Sequence, residues 1–434
     1  MGKTERIVSK TILALICLIM IVGVYLSNQS HQEIVLTIGV YAGSYWDTPS
    51  GDSYQVLDEA ITRFEASHPN VKMEYVSGIR AVDYSEWLAE QIVKGKEPDI
   101  YYVLPEDFSL LASTGALADL DNLTANDQAF DIDCFYQSCI EAGRYKETLF
   151  ALPFESVPTI MFVNKTFLQE KGVDFPASDW TWDDFYAICK EVTSPENHEY
   201  GVYNYTWLNA LYSNGVSLFT EDGSFCNLAD SRVLEAIRFV MKLQNLNEGY
   251  QVNGRDFDLG KVAFRPFLYS EYRAYQPYPY RVKKYTGFEW EGIPMPAGHY
   301  GGNISELHTL LLGLSARTRH KELAWEFLKL LVMDPEIQQN LCRYSSGISP
   351  LKSVAESPTT VLLLRENIPG GGVFDSDAIH QIMGNAVVIP NFPRYDTALQ
   401  MVDKIIIEQM NEDNISASTL LSNQREINLF LSKK

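Results

Sequence analysis

Glu155 is the side chain whose surroundings most suggest a chemical role. It lies in the stretch Leu152–Lys165 between two prolines, Pro153 and Pro158, and ahead of the apolar run Thr159–Val163. Proline has no N–H for a β-ladder and fixes its own φ, so the prolines predict a stiff, irregular entry to a buried strand that begins at Thr159. A carboxylate in such a place is either a rim charge or a group held for a purpose. The residues alone also allow an ordinary edge strand after a loop.

The motifs of the common enzyme classes are absent from the sequence. The run Gly254–Lys261 has one residue too many for a Walker loop, and Val262 stands where that loop needs Ser or Thr. The sequence has no His-Glu-x-x-His, no Cys-x-x-Cys and no Gly-x-Ser-x-Gly. Glycoside hydrolysis needs only two carboxylates at a set separation, and acidic residues are too numerous here to be informative. We therefore expect a binding protein and not an enzyme.

Composition limits the partners. The formal net charge of −21 disfavours a nucleic-acid partner, which would require a basic face. The seven histidines are scattered, and no pair has the helical spacing of metal ligands. We therefore predict no metal and no cofactor. The cysteines beyond the N-terminal segment are expected to be scattered thiols, with a Cys134–Cys139 disulfide as the alternative.

The N-terminus has the pattern of a secretion signal or membrane anchor. Three basic residues precede the apolar run Thr11–Leu26, and no small-x-small cleavage site follows it. We expect residues 1–33 to be an uncleaved anchor, with cleavage as the alternative. Basic residues ahead of the segment keep that end cytoplasmic, so the rest of the chain is predicted to lie on the extracytoplasmic face of the membrane.

The first half of the remaining chain predicts a parallel sheet. Three β-branched or aromatic runs alternate with two helical patterns, the second of which ends at Gly95: Ile34–Val40, Leu57–Phe64, Val71–Val76, Tyr84–Ile92 and Ile100–Leu104. Ligands bind outside the carboxyl ends of such strands. The loops predicted there are Ala42–Asp47 and Pro105–Phe108.

Later segments predict further helices and strands rich in aromatic residues. Helix starts are predicted at Thr181, at Asp230 or Ser231, and at Asp334-Pro335. The stretch Tyr200–Phe219 is predicted to be an aromatic loop. Aromatic side chains at this density are either rim packing or a wall on which sugar rings stack.

Four groups of motifs resemble the extracellular solute-binding proteins of family 1, the maltose-binding-protein group. They are Phe64-Glu-Ala-Ser-His-Pro-Asn-Val; Lys96-Glu-Pro-Asp-Ile-Tyr-Tyr-Val; Leu152–Lys165 with Trp180-Thr-Trp-Asp-Asp-Phe; and Gly260-Lys-Val-Ala-Phe with Lys321-Glu-Leu-Ala-Trp-Glu-Phe-Leu. The resemblance implies an α/β, two-lobe periplasmic-binding-protein fold with a hinge and a central ligand cleft. It also implies that the protein captures a carbohydrate, an oligosaccharide, by hinge closure and delivers it to the permease of an ATP-driven importer. We expect the protein to be a monomer.

The resemblance also implies three crossings between lobes, near Leu152–Pro158, Phe288–Pro294 and Tyr344–Pro350. Lobe one is then 34–157 with 293–344, and lobe two is 158–292 with 345–434. The candidate ligand contacts on this scheme are Trp46, Asp47, Glu155, Trp207, Asn209, Tyr269, Trp290, Tyr344 and Ser346. Each also has a packing or rim role as its alternative.

The sequence departs from the family after Gly260. Phe264 stands where Met is common, and the usual Gly-x-Trp is replaced by residues from Tyr269 to Tyr272. The details of the stacking platform are therefore open. A sensory receptor that feeds a membrane signalling partner, or a binder of a non-sugar solute such as a peptide, is the alternative function.

Overall fold

The computed structural model describes residues 33–43, 54–271, 288–365, 375–390, 392, 394–412 and 415–433. Residues 1–32 of the predicted anchor (residues 1–33) lie outside the described residues, as do the candidate contacts Trp46 and Asp47 and the tyrosines from Tyr272 to Tyr280. Within the described part of the chain, no helix is both long enough and apolar enough to cross a membrane. The five cysteines in it are all free thiols, as expected.

The first five elements form the predicted alternation of strand and helix. They are β1 (Ile34–Gly39), α1 (Gln55–Ser67), β2 (Val71–Tyr75), α2 (Ala81–Lys94) and β3 (Ile100–Val103). Both β2 and β3 pair with β1 in parallel, which confirms the predicted parallel sheet. Gly95 ends α2 in the left-handed region, at φ 64°, where a residue without Cβ is least strained.

The middle of the chain adds short helices, a small hairpin and a long strand. These elements are α3 (Pro105–Ser113), α4 (Asp121–Asn126), α5 (Gln137–Glu141), β4 (Arg144–Tyr145), β5 (Thr148–Leu149) and β6 (Ala151–Asn164). The prediction of a loop at Pro105–Phe108 is wrong, because these residues form the first turn of α3. Pro105 occupies the first helical position, where no N–H is needed.

The next region contains six helices and strands and then the return strands of the sheet. They are α6 (Lys165–Lys171), α7 (Trp182–Val192), β7 (Tyr200–Val202), α8 (Trp207–Ser213), α9 (Ser231–Gln244), α10 (Gly254–Asp258), β8 (Val262–Leu268), β9 (Trp290–Ile293) and β10 (Glu306–Leu314). Tyr200–Phe219 is not a plain loop, since it contains β7 and α8. Thr181 and Asp230 are N-caps as predicted, and their side chains accept hydrogen bonds from backbone N–H groups of the first turn.

Helices dominate the last region. They are α11 (Lys321–Met333), α12 (Pro335–Tyr344), α13 (Lys352–Ala355), α14 (Pro358–Arg365) and α15 (Ser376–Gly384), followed after β11 (Val387–Val388) by α16 (Tyr395–Asn411) and α17 (Ala417–Leu431). The predicted restart at Asp334-Pro335 is confirmed, because Asp334 caps α12 by accepting from the N–H groups of Glu336 and Ile337.

Nine of the described strands form one continuous sheet in the order β2-β1-β3-β10-β6-β8-β7, with β11 beside β10 and β9 beside β6, and β4 and β5 form a separate two-stranded sheet. β10 runs antiparallel to both β3 and β6. The return strand β10 therefore lies between the parallel strands and β6, and it brings the last third of the chain to the centre of the sheet.

The long strand β6 differs from the prediction that it begins at Thr159. It has 14 residues, begins at Ala151, and is buried along its whole length. Its two prolines lie where the pairing is already interrupted. Pro153 lies at a register shift against β10, and Pro158 is the last residue paired with β10 before β8 becomes the partner from Thr159 onward. A missing N–H is tolerated at such positions, so the strand continues through both prolines.

Buried apolar residues form three clusters. The first contains the parallel strands, the first half of β6 and helices α11 and α12. The second contains Trp180, Trp182 and the second half of β6, and the third joins α8 and α9 to α16 and α17. Buried residues between Leu351 and Ala386 also pack in the first cluster, as do Phe257 and Trp290 from the predicted lobe two, so the cluster spans both predicted lobes. The lobe boundaries themselves stay a prediction.

Candidate ligand-binding site

Glu155 lies at the register shift of β6, opposite Leu310 of β10. Its side chain is only 5 % exposed, and its carboxylate accepts a hydrogen bond from the Ser345 hydroxyl, just after α12. Gly347 approaches it so closely that an added Cβ would lie 2.6 Å from Cδ of Glu155. The chain after α12 therefore holds this carboxylate in a fixed position beside the interrupted part of the strand.

An aromatic group lies next to this carboxylate, at the carboxyl ends of the parallel strands. The Tyr102 ring, near the end of β3, lies 5.1 Å from the Tyr41 ring, which follows β1, and 5.7 Å from the Phe154 ring. Burial raises the pKa of Tyr102, and the nearby Glu155 carboxylate and Tyr54 hydroxyl raise it further. Tyr102 thus stays a neutral phenol that can donate a hydrogen bond beside a carboxylate that can accept one.

Trp46 and Asp47 belong to the segment between Gly43 and Tyr54, outside the described residues. The described residues on either side of that segment belong to the same site, because Tyr41 contacts the Tyr102 ring and Tyr54 influences its pKa. The sequence rule that ligands bind outside the carboxyl ends of parallel strands therefore leads to this location. The ligand roles of Trp46 and Asp47 stay predictions.

A second polar group lies further along the same two strands. Val157 of β6 pairs with His308 of β10, and Glu306 is two residues before His308. Directly paired residues share a sheet face, and so do residues two apart on one strand. The side chains of His308 and Glu306 therefore lie on the face that carries Glu155. Four residues of β10, or about 13 Å, separate Glu306 from Leu310, the partner of Glu155.

Glu306 is surrounded by groups from different parts of the chain. The His308 Nε2 atom lies 3.6 Å from its carboxylate, and the hydrogen-bonded hydroxyls of Tyr212 in α8 and Tyr395 in α16 lie within electrostatic reach. Burial raises the pKa of Glu306, and the neighbouring His308 opposes that shift. A carboxyl group with a raised pKa next to two phenols and an imidazole can both donate and accept hydrogen bonds.

Two candidate residues of α8 have structural partners. Trp207 is 5 % exposed, and its Nε1–H donates to Asp403 Oδ1 in α16 at 2.8 Å. The Asn209 Oδ1 atom closes a capping box by accepting from the backbone N–H and the hydroxyl of Thr206. These contacts fix the start of α8 and its packing on α16, and a ligand role for either residue stays a prediction.

The remaining candidates lie at the crossings. Trp290 is 1 % exposed and stacks on Phe162 with ring centroids 4.7 Å apart, and Tyr269 is fully buried. Tyr344 is the half-buried last residue of α12, and Ser346 follows the serine that binds Glu155. Their ligand roles also stay predictions, although Tyr344 and Ser346 are beside the Glu155 carboxylate in sequence.

Sequence reasoning missed several residues of this site. Tyr41 and Tyr102 could have been found, because they end β1 and β3, where the rule for parallel strands directs attention. Glu306, Tyr212 and Tyr395 gave no local signal, since they meet only through the position of β10 in the sheet. Within the described part of the chain, no group of three or more His, Cys, Asp or Glu side chains could hold a metal ion.

Comparison with known proteins gives a consistent result. Residues 48–335 match the family described as bacterial extracellular solute-binding protein. An uncharacterised lipoprotein of Streptomyces antibioticus is 24 % identical over 320 residues, which cover 68 % of this chain and 66 % of that protein. A maltotriose-binding protein of Pyrococcus abyssi is 22 % identical over 334 residues, which cover 72 % of this chain and 67 % of that protein. The chain thus spans about two thirds of the length of these relatives.

A solved structure extends the likeness over nearly the whole chain. The cyclic alpha-maltosyl-1,6-maltose binding protein from Arthrobacter globiformis matches with a TM-score of 0.75 at 17 % identity, covering 92 % of this chain and 100 % of that chain. Likeness at this identity shows a shared fold. It confirms the predicted two-lobe α/β architecture of the periplasmic binding proteins.

Proposed function

The chain belongs to the bacterial extracellular solute-binding proteins, and from this premise we propose that it captures a carbohydrate and delivers it to the permease of an ATP-driven importer. The observation that carries the proposal is the row of polar groups on one face of β6 and β10. Glu155 lies at one end of this row beside the Tyr102 ring, and Glu306 lies at the other beside two tyrosine hydroxyls.

The chemistry of this face suits a polyhydroxylated ligand. Sugar hydroxyls both donate and accept hydrogen bonds, so they are well matched by carboxyl, phenol and imidazole groups. Aromatic rings such as Tyr41 and Tyr102 provide apolar surface for the flat faces of sugar rings. The separation of about 13 Å between the two ends is longer than one sugar ring, which favours an oligosaccharide. The relatives named for maltotriose and for cyclic maltosyl-maltose support the same class.

Binding is proposed to close the two lobes around the ligand without chemical change to it. The elements that carry Tyr102 and Tyr395 pack in different clusters, so a ligand that contacts both sides holds them together. The family is extracellular, and a lipoprotein is among the relatives, which supports a position outside the cytoplasmic membrane. Tethering through residues 1–33 and interaction with a permease complete the proposal.

The test is thermal melting of the purified protein against a library of monosaccharides and oligosaccharides. A ligand present at one hundred times its dissociation constant adds about 2.7 kcal/mol to the free energy of unfolding, which is readily seen as a higher Tm. We expect a shift with one class of oligosaccharide. The absence of a shift with every sugar, together with a shift for peptides or other solutes, would overturn the carbohydrate proposal and leave the fold intact.

Two adjacent tyrosines provide a matched pair of variants for locating the site. Tyr102→Phe removes the hydroxyl beside Glu155 and should weaken sugar binding. Tyr101→Phe removes a hydroxyl that donates to the Ala116 carbonyl oxygen at 3.0 Å, so it should lower stability by about 1 kcal/mol and leave sugar affinity unchanged. Trp46→Ala should also weaken binding. Equal affinities for the wild type and Tyr102→Phe would argue against this site.

A further inference from the structure

A second concave surface lies away from β6, on the outer side of helices α7 and α9. It is a pocket of about 530 Å³ whose lining includes Tyr186, Arg238, Met241, Lys242, Leu246 and Ile415. Leu246 packs against the second apolar cluster and Ile415 against the third, so the pocket lies where these clusters meet. Its volume falls within the range of about 300–1,000 Å³ that is usual for small-molecule sites. It shares no lining residue with the site beside Glu155.

Two basic residues line this pocket. Arg238 and Lys242 are four residues apart on α9, so their side chains are neighbours on one helix face and repel each other. Neither forms an ion pair with any residue that the structure describes. Two other charged residues of α9 do have partners, since Arg232 pairs with Asp230 and Glu235 with His299. Two neighbouring cations without an ion pair among the described residues give this pocket local positive charge in a chain of net charge −21.

Aromatic and apolar groups complete the environment of these cations. The Lys242 ammonium lies 3.6 Å from the centroid of the Tyr186 ring, a cation–π contact that orders the ammonium at the edge of the pocket. Met241, Leu246 and Ile415 are partly buried and add apolar area to the lining. Methionine is unbranched and adapts to the shape of a ligand. The lining thus combines positive charge with apolar area.

We infer that this pocket binds a small amphipathic organic anion, a carboxylate with an aromatic or aliphatic body. The carboxylate accepts hydrogen bonds from the Arg238 guanidinium and the Lys242 ammonium, and the body covers Met241, Leu246 and Ile415. A guanidinium presents two parallel N–H donors to a carboxylate, which fixes the orientation of the anion. Because the pocket and the cleft beside β6 share no lining residue, occupation of one leaves the other available.

The experiment measures binding of two probes, phenylacetate and octanoate, to the full-length protein by saturation-transfer NMR and calorimetric titration. We expect at least one of them to bind at a single saturable site, and the matched neutral amide, phenylacetamide or octanamide, to bind at least tenfold more weakly. Higher ionic strength should weaken the anion, because the two cations are exposed to solvent. Failure of both carboxylates to bind, or equal binding of acid and amide, would overturn the inference.

Variants locate the binding. The double variant Arg238→Gln/Lys242→Gln should lower the affinity for the anion at least tenfold, while circular dichroism and Tm report that the fold is kept. Lys94→Gln is the control, because it removes a surface charge from α2 in the other half of the molecule, where Lys94 pairs with Glu90. Equal anion affinity in the double variant and in the control would show that the anion binds elsewhere and would refute the assignment.

Discussion

The close approach of Gly347 to Glu155 leads to a sharp prediction for Gly347→Ala. The new Cβ would lie 2.6 Å from Cδ of Glu155, whereas ordinary contacts of a Cβ are 3.4–4 Å. Glu155 is only 5 % exposed and lies in a buried strand, so it has little room to move away. We expect either the carboxylate or the chain after α12 to shift, with loss of the hydrogen bond from Ser345.

The expected cost follows from overpacking a buried site. Forcing extra atoms into a packed interior costs about 1–3 kcal/mol. At about 2–4 °C per kcal/mol, the Tm of Gly347→Ala should fall by roughly 2–12 °C. If the ligand forms a hydrogen bond with Glu155 as proposed, displacement of the carboxylate should also weaken sugar binding. The expected loss of affinity is about tenfold, because one hydrogen bond to a charged group is lost.

A double-mutant cycle assigns this cost to Glu155. In a Glu155→Ala background the atoms that clash with the new Cβ are gone, so Gly347→Ala should become nearly neutral there. The coupling free energy should be about 1–3 kcal/mol by denaturant unfolding. Gly384→Ala is the control, since no atom lies within 4 Å of the added Cβ at the end of α15. An equal cost of Gly347→Ala in both backgrounds, or no cost in the wild type, would refute the reasoning.

Three further changes test the electrostatic and packing contacts. Burial raises the pKa of Glu306, so ionisation of this carboxyl costs stability as pH rises from the ordinary carboxyl pKa through the raised one. Glu306→Gln should therefore have a higher Tm than the wild type at pH 8 and the same Tm at pH 4. Identical pH profiles of Tm would contradict this. Asp127 accepts hydrogen bonds from Lys329 at 2.5 Å and from Trp325 at 2.9 Å, and the Lys329 ammonium lowers the pKa of Asp127. Asp127→Asn should therefore reduce Tm at pH 7, and the difference from the wild type should be lost as pH falls through the lowered pKa. A difference that persists at pH 2 would point to another cause. Trp207→Phe removes the hydrogen bond to Asp403 and should lower the free energy of unfolding by about 1–3 kcal/mol in chemical denaturation, whereas an unchanged value would mean that water replaces the indole N–H without cost.

Local patterns predicted much of the fold because local interactions determine it. The strands from Ile34 to Val103 and the N-caps Thr181, Asp230 and Asp334 are set by β-branched runs and by side chains that bond their own first turn. The sequence pattern places the start of β6 eight residues too late, because Pro153 and Pro158 predict an irregular entry that leads to a strand only from Thr159. Their positions at a register shift and at a change of partner depend on β10, which no local pattern reports.

The candidate site divides in the same way. Glu155 could be found because a single carboxylate in an otherwise apolar stretch is unusual in sequence alone. Its partners could not, because Ser345 and Gly347 are about 190 residues away in the chain. The group around Glu306 also needs segments that are distant in the chain, since α8, β10 and α16 meet only after the chain has folded. Sequence therefore identifies single groups of this site, and only the sheet order determines their neighbours.

If Glu155 binds the ligand as proposed, its position connects binding to closure. β6 pairs with β10 as far as Pro158 and with β8 beyond it, so one strand belongs to both halves of the sheet. A ligand shifts a conformational equilibrium only through contacts that differ between the two states. Contacts with Glu155 and Tyr102 alone would leave closure unaffected, because both belong to the same half. A ligand that also contacts Tyr212 or Tyr395 gains binding free energy from that contact only when the halves approach. Closure should therefore be tested at this tyrosine pair. Tyr395→Phe should reduce ligand-induced compaction in small-angle scattering more than Tyr102→Phe does.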